Sequence, residues 1–125
     1  MKKQIQTELA PLAIGPYSQA IQVGTTLYIS GQIPLDPQTG KMVAGGIENE
    51  TKRALENLKA IVTAAGGTMQ NIVKTTILLA DMNDFSVVNE IYGTYFQAPF
   101  PARATFQVAR LPRDARIEIE AIGEI

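Results

Sequence analysis

NIVKTTILLA, residues 71–80, is rich in β-branched residues and almost continuously apolar. A run of this length and composition reads as an internal strand buried on most of both faces. Helical periodicity stands on either side of it. Upstream, from Glu48 to about Ala65, Leu55, Leu58, Ile61, Val62 and Ala65 recur at helical spacing, and Gly66-Gly67 supplies a C-terminal stop. Downstream, Asn83 or Asp84 can cap a second helix, whose Phe85, Val88, Ile91, Tyr92 and Tyr95 form one apolar stripe.

Further out the period drops to two. SQAIQVG (18–24) and TLYISGQI (26–33) alternate about a Gly24-Thr25 step and predict a hairpin, with Leu27, Ile29 and Ile33 on one face and Tyr28, Ser30 and Gln32 on the other. PLDPQTGKMVAGG (34–46) is a turn-rich loop. PARATFQVARLP (101–112) enters a strand from a proline turn, with Phe106 and Val108 on one face and Arg103, Thr105 and Gln107 on the other. In ARIEIEAIGEI (115–125), Ile117, Ile119 and Ala121 oppose Arg116, Glu118 and Glu120. The order strand, strand, helix, strand, helix, strand, strand predicts an α+β domain, a single mixed β-sheet with two helices packed on one face. The length of 125 residues fits one domain, 1–125. If the registers hold, the second face carries Ser30, Gln32, Arg103, Thr105, Glu118 and Glu120 beside Leu78 and Ile122. A face that is half apolar yet charged suggests an oligomer interface enclosing a polar pocket.

Composition narrows the chemistry. Eleven Lys and Arg against 12 Asp and Glu give a net charge of −1, without the basic footprint of phosphate-backbone binding, so no nucleic-acid partner is expected. No run approaches the twenty or so apolar residues of a membrane span. The opening MKKQIQTELAP has no apolar stretch behind its lysines, so neither signal nor anchor is expected and a cytoplasmic location is the default. The absence of Cys and His removes disulfides, Cys/His metal sites, thiol nucleophiles and histidine triads. Carboxylates, Arg, Lys, Tyr, Ser/Thr and backbone groups remain.

Among these, Arg103 is a permanent cation with five donors at the mouth of a strand, while Glu118 and Glu120 alternate with isoleucines as any half-exposed strand would. Tyr17 follows a Gly-Pro turn that would fix its ring. Gly31 inside a strand marks either a β-bulge or the close approach of a ligand or another backbone. Gly45-Gly46 and Gly66-Gly67 lack nucleotide-binding spacing, and Asp81 and Asp84 lack that of a calcium loop; turns and caps explain them.

IGPYSQA, SGQIPLDPQTG, NDFSVVNEIYGTYF, PARATFQVARLP and IEIEAI, in this order and spacing, closely resemble the Rid family (YjgF-like reactive intermediate deaminases), in particular its RidA group. The resemblance runs from about Thr7 to Ile122. It implies a chorismate-mutase-like homotrimer with sites between subunits, hydrolysing 2-imino acids and their enamine tautomers to 2-oxo acids and ammonia without a cofactor. Carried over by position, Arg103 binds the substrate carboxylate, the backbone of Thr105 and Gly31 contacts its reacting end, and Glu120 handles the attacking water. Tyr17, Ser30 and Asn89 match other pocket positions. Many RidA-type members have cysteine where this chain has Thr105, so no thiol can take part.

The residue inventory suits that chemistry. An imino acid offers a planar carboxylate to a bidentate arginine and a carbon already electrophilic towards water. The competing reading is a non-catalytic trimeric module in which the same arginine pocket senses 2-oxo or amino acids. An endoribonuclease, as proposed for some relatives, sits badly with the charge balance and the missing histidines.

Overall fold

The computed structural model describes all 125 residues, Met1–Ile125. Its strands are β1 (Lys2–Ile5), β2 (Ala20–Val23), β3 (Thr26–Gln32), β4 (Ile72–Leu79), β5 (Ala102–Gln107) and β6 (Ile117–Glu124), and its helices are α1 (Gly46–Ala64) and α2 (Phe85–Tyr95). They form one sheet in the order β1-β2-β3-β6-β4-β5. β6 pairs antiparallel with both β3 and β4, so it fills the gap between two strands joined through α1. β4 and β5 are parallel and need the crossover that α2 supplies. The expected α+β layout, a mixed sheet with both helices on one face, is what the chain adopts; β1 adds an edge strand that the strand order read from the sequence did not include. No helix is long and apolar enough to cross a membrane.

The core follows from alternation on the strands and the stripe on each helix. Leu27 and Ile29 of β3, Ile77 and Leu79 of β4, and Ile117 and Ile119 of β6 meet Leu55, Leu58, Ile61 and Val62 of α1 and Val88 and Tyr92 of α2. α1 stops where expected. Gly66 adopts φ +90°, its N–H donates to Thr63 O (2.9 Å) and that of Gly67 donates to Val62 O (3.0 Å), satisfying carbonyls the helix leaves open. The capping expectation for α2 needs correction. Asp84 stands at the N-cap position but its side chain makes no capping bond; Asp81 instead accepts from Asn83 N–H (2.9 Å) in a 3-10 turn that leads into the helix.

Two buried polar side chains position the elements that matter later. Gln19 donates to the carbonyls of Thr7, Ala10 and Pro11 (3.0, 3.3 and 2.8 Å) and accepts from Thr7 N–H (2.7 Å), pinning the segment that precedes Tyr17. Glu50 of α1 accepts from the backbone N–H (2.9 Å) and guanidinium (3.1 Å) of Arg116, fixing the start of β6. Buried groups this fully bonded hold one geometry, because breaking any bond strands a desolvated partner.

Three facing assignments differ from the sequence reading. β4 is covered on one side only: Thr75, Ile77 and Leu79 are buried while Lys74 is exposed and Thr76 and Leu78 are half-buried, because both helices lie on the same face. Gln32 is buried rather than facing out with Ser30. The β3–β6 register shifts between Ile29 and Gln32, and this bulge turns Gln32 back to the core opposite Ile119. The third correction decides the site. Arg103 and Thr105 pair with Thr75 and Ile77, residues whose side chains enter the core, so both lie on the helix side of the sheet and not beside Glu118 and Glu120. The open face keeps Ser30, Glu118, Glu120, Leu78 and Ile122, joined by Ile21, Tyr28 and Phe106.

Candidate active site

β5 is an edge strand, and its helix side is only partly roofed by α2. Arg103 therefore extends along α2 with its guanidinium carbon 4.9 Å from the centre of the Tyr92 ring and 5.5 Å from that of Phe85. The Tyr92 hydroxyl is bonded to Thr75 Oγ1 (2.8 Å). Burial pushes the phenol pKa up, outweighing the pull of the Thr75 bond and the Arg103 charge, so the ring stays neutral. The other arginines all find acceptors within the chain: Arg53 at Asn57, Arg110 at Asp114, Arg113 at Gly40 and Arg116 at Glu50. Arg103 has none, and it stands between two grooves. One is lined by Met82, Asn83, Phe85, Ser86 and Thr105, the other by Asn89, Tyr92, Gly93, Phe100 and Pro101. Thr105 Oγ1 is the one buried side-chain polar atom without a partner. The Thr105 hydroxyl and the Arg103 guanidinium, which line the same groove, thus both keep hydrogen-bonding capacity that the chain does not use.

The second group lies across the sheet. A groove of about 430 Å³ on the open face is lined by Ser18, Ser30, Lys74, Thr76 and Glu120 among Ile21, Tyr28 and Ile122. Ser30 anchors the bulge twice, its hydroxyl donating to Ser18 O (2.5 Å) and its N–H to Gln19 O (2.9 Å). Of the two readings of its sequence position Gly31 fulfils the bulge; what approaches it closely is a side chain rather than another backbone. It sits in the bulge, and a Cβ there would overlap the Glu118 carboxylate, so only glycine lets that carboxylate lie against the backbone in this position. Glu118 is half-buried, and burial first and the charge of Glu120 second hold its pKa above the ordinary carboxylate value. On the far side of Gly31, a cleft of about 260 Å³ has Tyr17 among its lining residues with Leu12, Ile14, Ile33 and Arg113. Gly15 at φ +125° accepts from Tyr17 N–H (2.9 Å) and sets that ring in place.

The sequence-derived residues thus fall into two groups. Arg103, Thr105 and Asn89 belong to the helix side of β5; Tyr17, Ser30, Gly31 and Glu120 belong to the β3–β6 region. One chain does not bring the groups together. Sequence reasoning missed Tyr92 and Phe85 as the surfaces under Arg103, since their spacing spoke only for the α2 stripe. It also passed over Glu118, whose contact with Gly31 depends on a bulge that leaves no separate signal.

A family model described as Endoribonuclease L-PSP matches residues 7–125. A Mus musculus protein named 2-iminobutanoate/2-iminopropanoate deaminase is 62% identical over 123 residues, covering 98% of this chain and 91% of the relative. The Homo sapiens protein of the same name is 57% identical over 123 residues, covering 98% and 90%. Among solved structures, E. coli TdcF with bound serine superposes with a TM-score of 0.94 at 47% identity, covering 98% of both chains. With agreement this high along nearly the whole of both chains, the chain belongs to the YjgF/Rid family, in its RidA group, and is an enzyme of the 2-iminobutanoate/2-iminopropanoate deaminase kind.

Proposed function

We propose that the protein hydrolyses small 2-imino acids, in equilibrium with enamines such as the 2-aminoacrylate and 2-aminocrotonate released by pyridoxal-phosphate enzymes, to 2-oxo acids and ammonia, and does so in the cytoplasm. The observation that carries this is Arg103, a guanidinium laid over two aromatic rings with no acceptor for its N–H groups in the chain. Its free edge matches a planar carboxylate in two parallel hydrogen bonds. The orphan Thr105 hydroxyl and Asn89 stand ready to hold the rest of the substrate. Serine in the E. coli relative supports the reading, since it carries the same carboxylate beside a nitrogen-bearing carbon.

The reaction balances without a cofactor. Water adds to the iminium carbon as its proton passes to a carboxylate and the C=N pair returns to nitrogen, giving a carbinolamine. The carboxyl group then returns the proton to nitrogen, the C–N bond breaks, the hydroxyl gives up its proton, and a 2-oxo acid and ammonium leave. A group that both takes and gives a proton works best with a pKa lifted towards the working pH. Glu118, half-buried against Gly31, fits this role, so we place it ahead of Glu120, the residue that the family resemblance suggested. Glu120 contributes its charge.

Arg103 and Glu118 lie on opposite sides of one sheet, so a complete site needs the Arg103 side of one copy to face the Glu118 side of the next. Contact between two different patches generates a ring rather than a two-fold pair, which supports the homotrimer. The apolar part of the open face, Ile21, Tyr28, Leu78, Phe106 and Ile122, would be covered in it. Light scattering at dilution is expected to give about three times the 13.5 kDa chain mass; a stable monomer would contradict the assembly. Activity is tested by generating 2-aminoacrylate in situ with a serine dehydratase and following pyruvate. The protein should accelerate its appearance. No acceleration by a folded trimer would favour a module that senses 2-oxo or amino acids.

A further inference from the structure

Arg103 is held differently from every other arginine in the chain. Arg116 and Arg110 are engaged edge-on by Glu50 and Asp114, at 3.1 and 2.7 Å, and such a carboxylate occupies the same in-plane N–H groups that a substrate would need. Arg103 instead lies over aromatic rings, its guanidinium carbon 4.9 Å from the Tyr92 ring centre and 5.5 Å from that of Phe85. Cation–π contact with the rings localises the guanidinium while no carboxylate or carbonyl of the chain takes up its N–H groups.

The platform is itself fixed. Tyr92 is bonded to buried Thr75, and Thr75 is the register partner of Arg103 on the neighbouring strand, so the ring's anchor and the root of the arginine are adjacent backbone positions. Tyr92 also packs on Phe96, with ring centres 4.5 Å apart. Because burial keeps the Tyr92 phenol protonated, no tyrosinate competes with the substrate for the cation.

We propose that Phe85 and Tyr92 are positioning residues for the reaction: an aromatic platform that holds the Arg103 guanidinium in place and leaves its N–H groups free for the substrate carboxylate. This rests on the reading of Arg103 as the carboxylate clamp. Ordering a long, rotamer-rich side chain before the substrate arrives removes that cost from binding, so the platform acts on affinity rather than on the hydrolytic step.

The test is a double-mutant cycle read on the Kd of 2-oxobutanoate, an unreactive carboxylate of the right shape, together with KM and kcat for in situ generated 2-aminocrotonate. Phe85→Leu keeps apolarity and much of the volume but removes the π face. It is expected to raise Kd and KM about three- to tenfold with kcat nearly unchanged. Tyr92→Phe retains the ring but loses its bond to Thr75 and should fall between wild type and Tyr92→Leu, which should resemble Phe85→Leu. In an Arg103→Ala background, Phe85→Leu should weaken binding no further, because its effect passes through the arginine. Wild-type binding by Phe85→Leu and Tyr92→Leu alongside weak binding by Arg103→Ala would overturn the platform and leave the clamp standing. Equal losses from Phe85→Leu in both backgrounds would make Phe85 a structural residue and also overturn it. Unchanged binding by Arg103→Ala would remove the clamp itself.

Discussion

Arg103→Lys is expected to fail nearly as badly as Arg103→Ala, each losing at least about tenfold in kcat/KM, because hydrogen bonds to a charged group are worth roughly 1.5–3 kcal/mol each. Lysine preserves the charge but cannot make two parallel contacts from one rigid plane, and its compact ammonium is a poorer match to the flat faces of Tyr92 and Phe85. Steady-state kinetics on in situ generated 2-aminoacrylate measures the loss. Thermal unfolding should change little, since Arg103 has no hydrogen-bond or ion-pair partner within the chain. Full activity in Arg103→Lys would reduce the residue to a general positive charge. Unfolding of ligand-free Arg103→Ala would make it structural.

Glu118→Gln is expected to lower kcat by roughly 10²–10⁴, the usual worth of a positioned general acid–base, while leaving 2-oxobutanoate affinity nearly intact. Glu120→Gln should cost much less, since that carboxylate is exposed and acts on Glu118 only through its charge. The opposite ranking would move the proton-handling role one alternation along β6, to Glu120. The same variant has a signature in stability. The folded-state pKa of Glu118 is raised, so between its ordinary value of 4.5 and that higher value the folded protein binds more protons than the unfolded chain. Stability therefore falls as pH rises through this window, and Glu118→Gln should flatten that part of the profile.

Much of the fold was legible because its signals are local. The α1 stripe and its Gly66-Gly67 stop, the Gly24-Thr25 hairpin and the strict alternation of 117–121 each need only neighbouring residues, and each element formed where its pattern lies. The facing of Arg103 was not local. Its own strand alternates correctly, but which side Arg103 and Thr105 occupy depends on parallel pairing with β4, and nothing within 101–112 encodes that partner. Gln32 fails for a related reason: a bulge of one residue reverses every later side chain, and Gly31 only hinted at it. Glu118 was hidden by the same bulge, since its claim rests on how closely it approaches Gly31. The family resemblance named most of the candidate site residues, but only the topology shows that they divide into two groups across the sheet.

That division is the central claim, and mixing two inactive variants tests it most directly. Arg103→Ala lacks the clamp and Glu118→Gln lacks the proton-handling group; each is purified alone, then the two are unfolded and refolded together in equal amounts. If each site joins the Arg103 side of one subunit to the Glu118 side of the next, every mixed trimer regains one intact site, and random assembly restores about a quarter of wild-type activity. If both residues serve a site within one chain, no mixed trimer holds an intact site. Activity of the refolded mixture no higher than that of the separate variants, with trimers formed, would contradict the account.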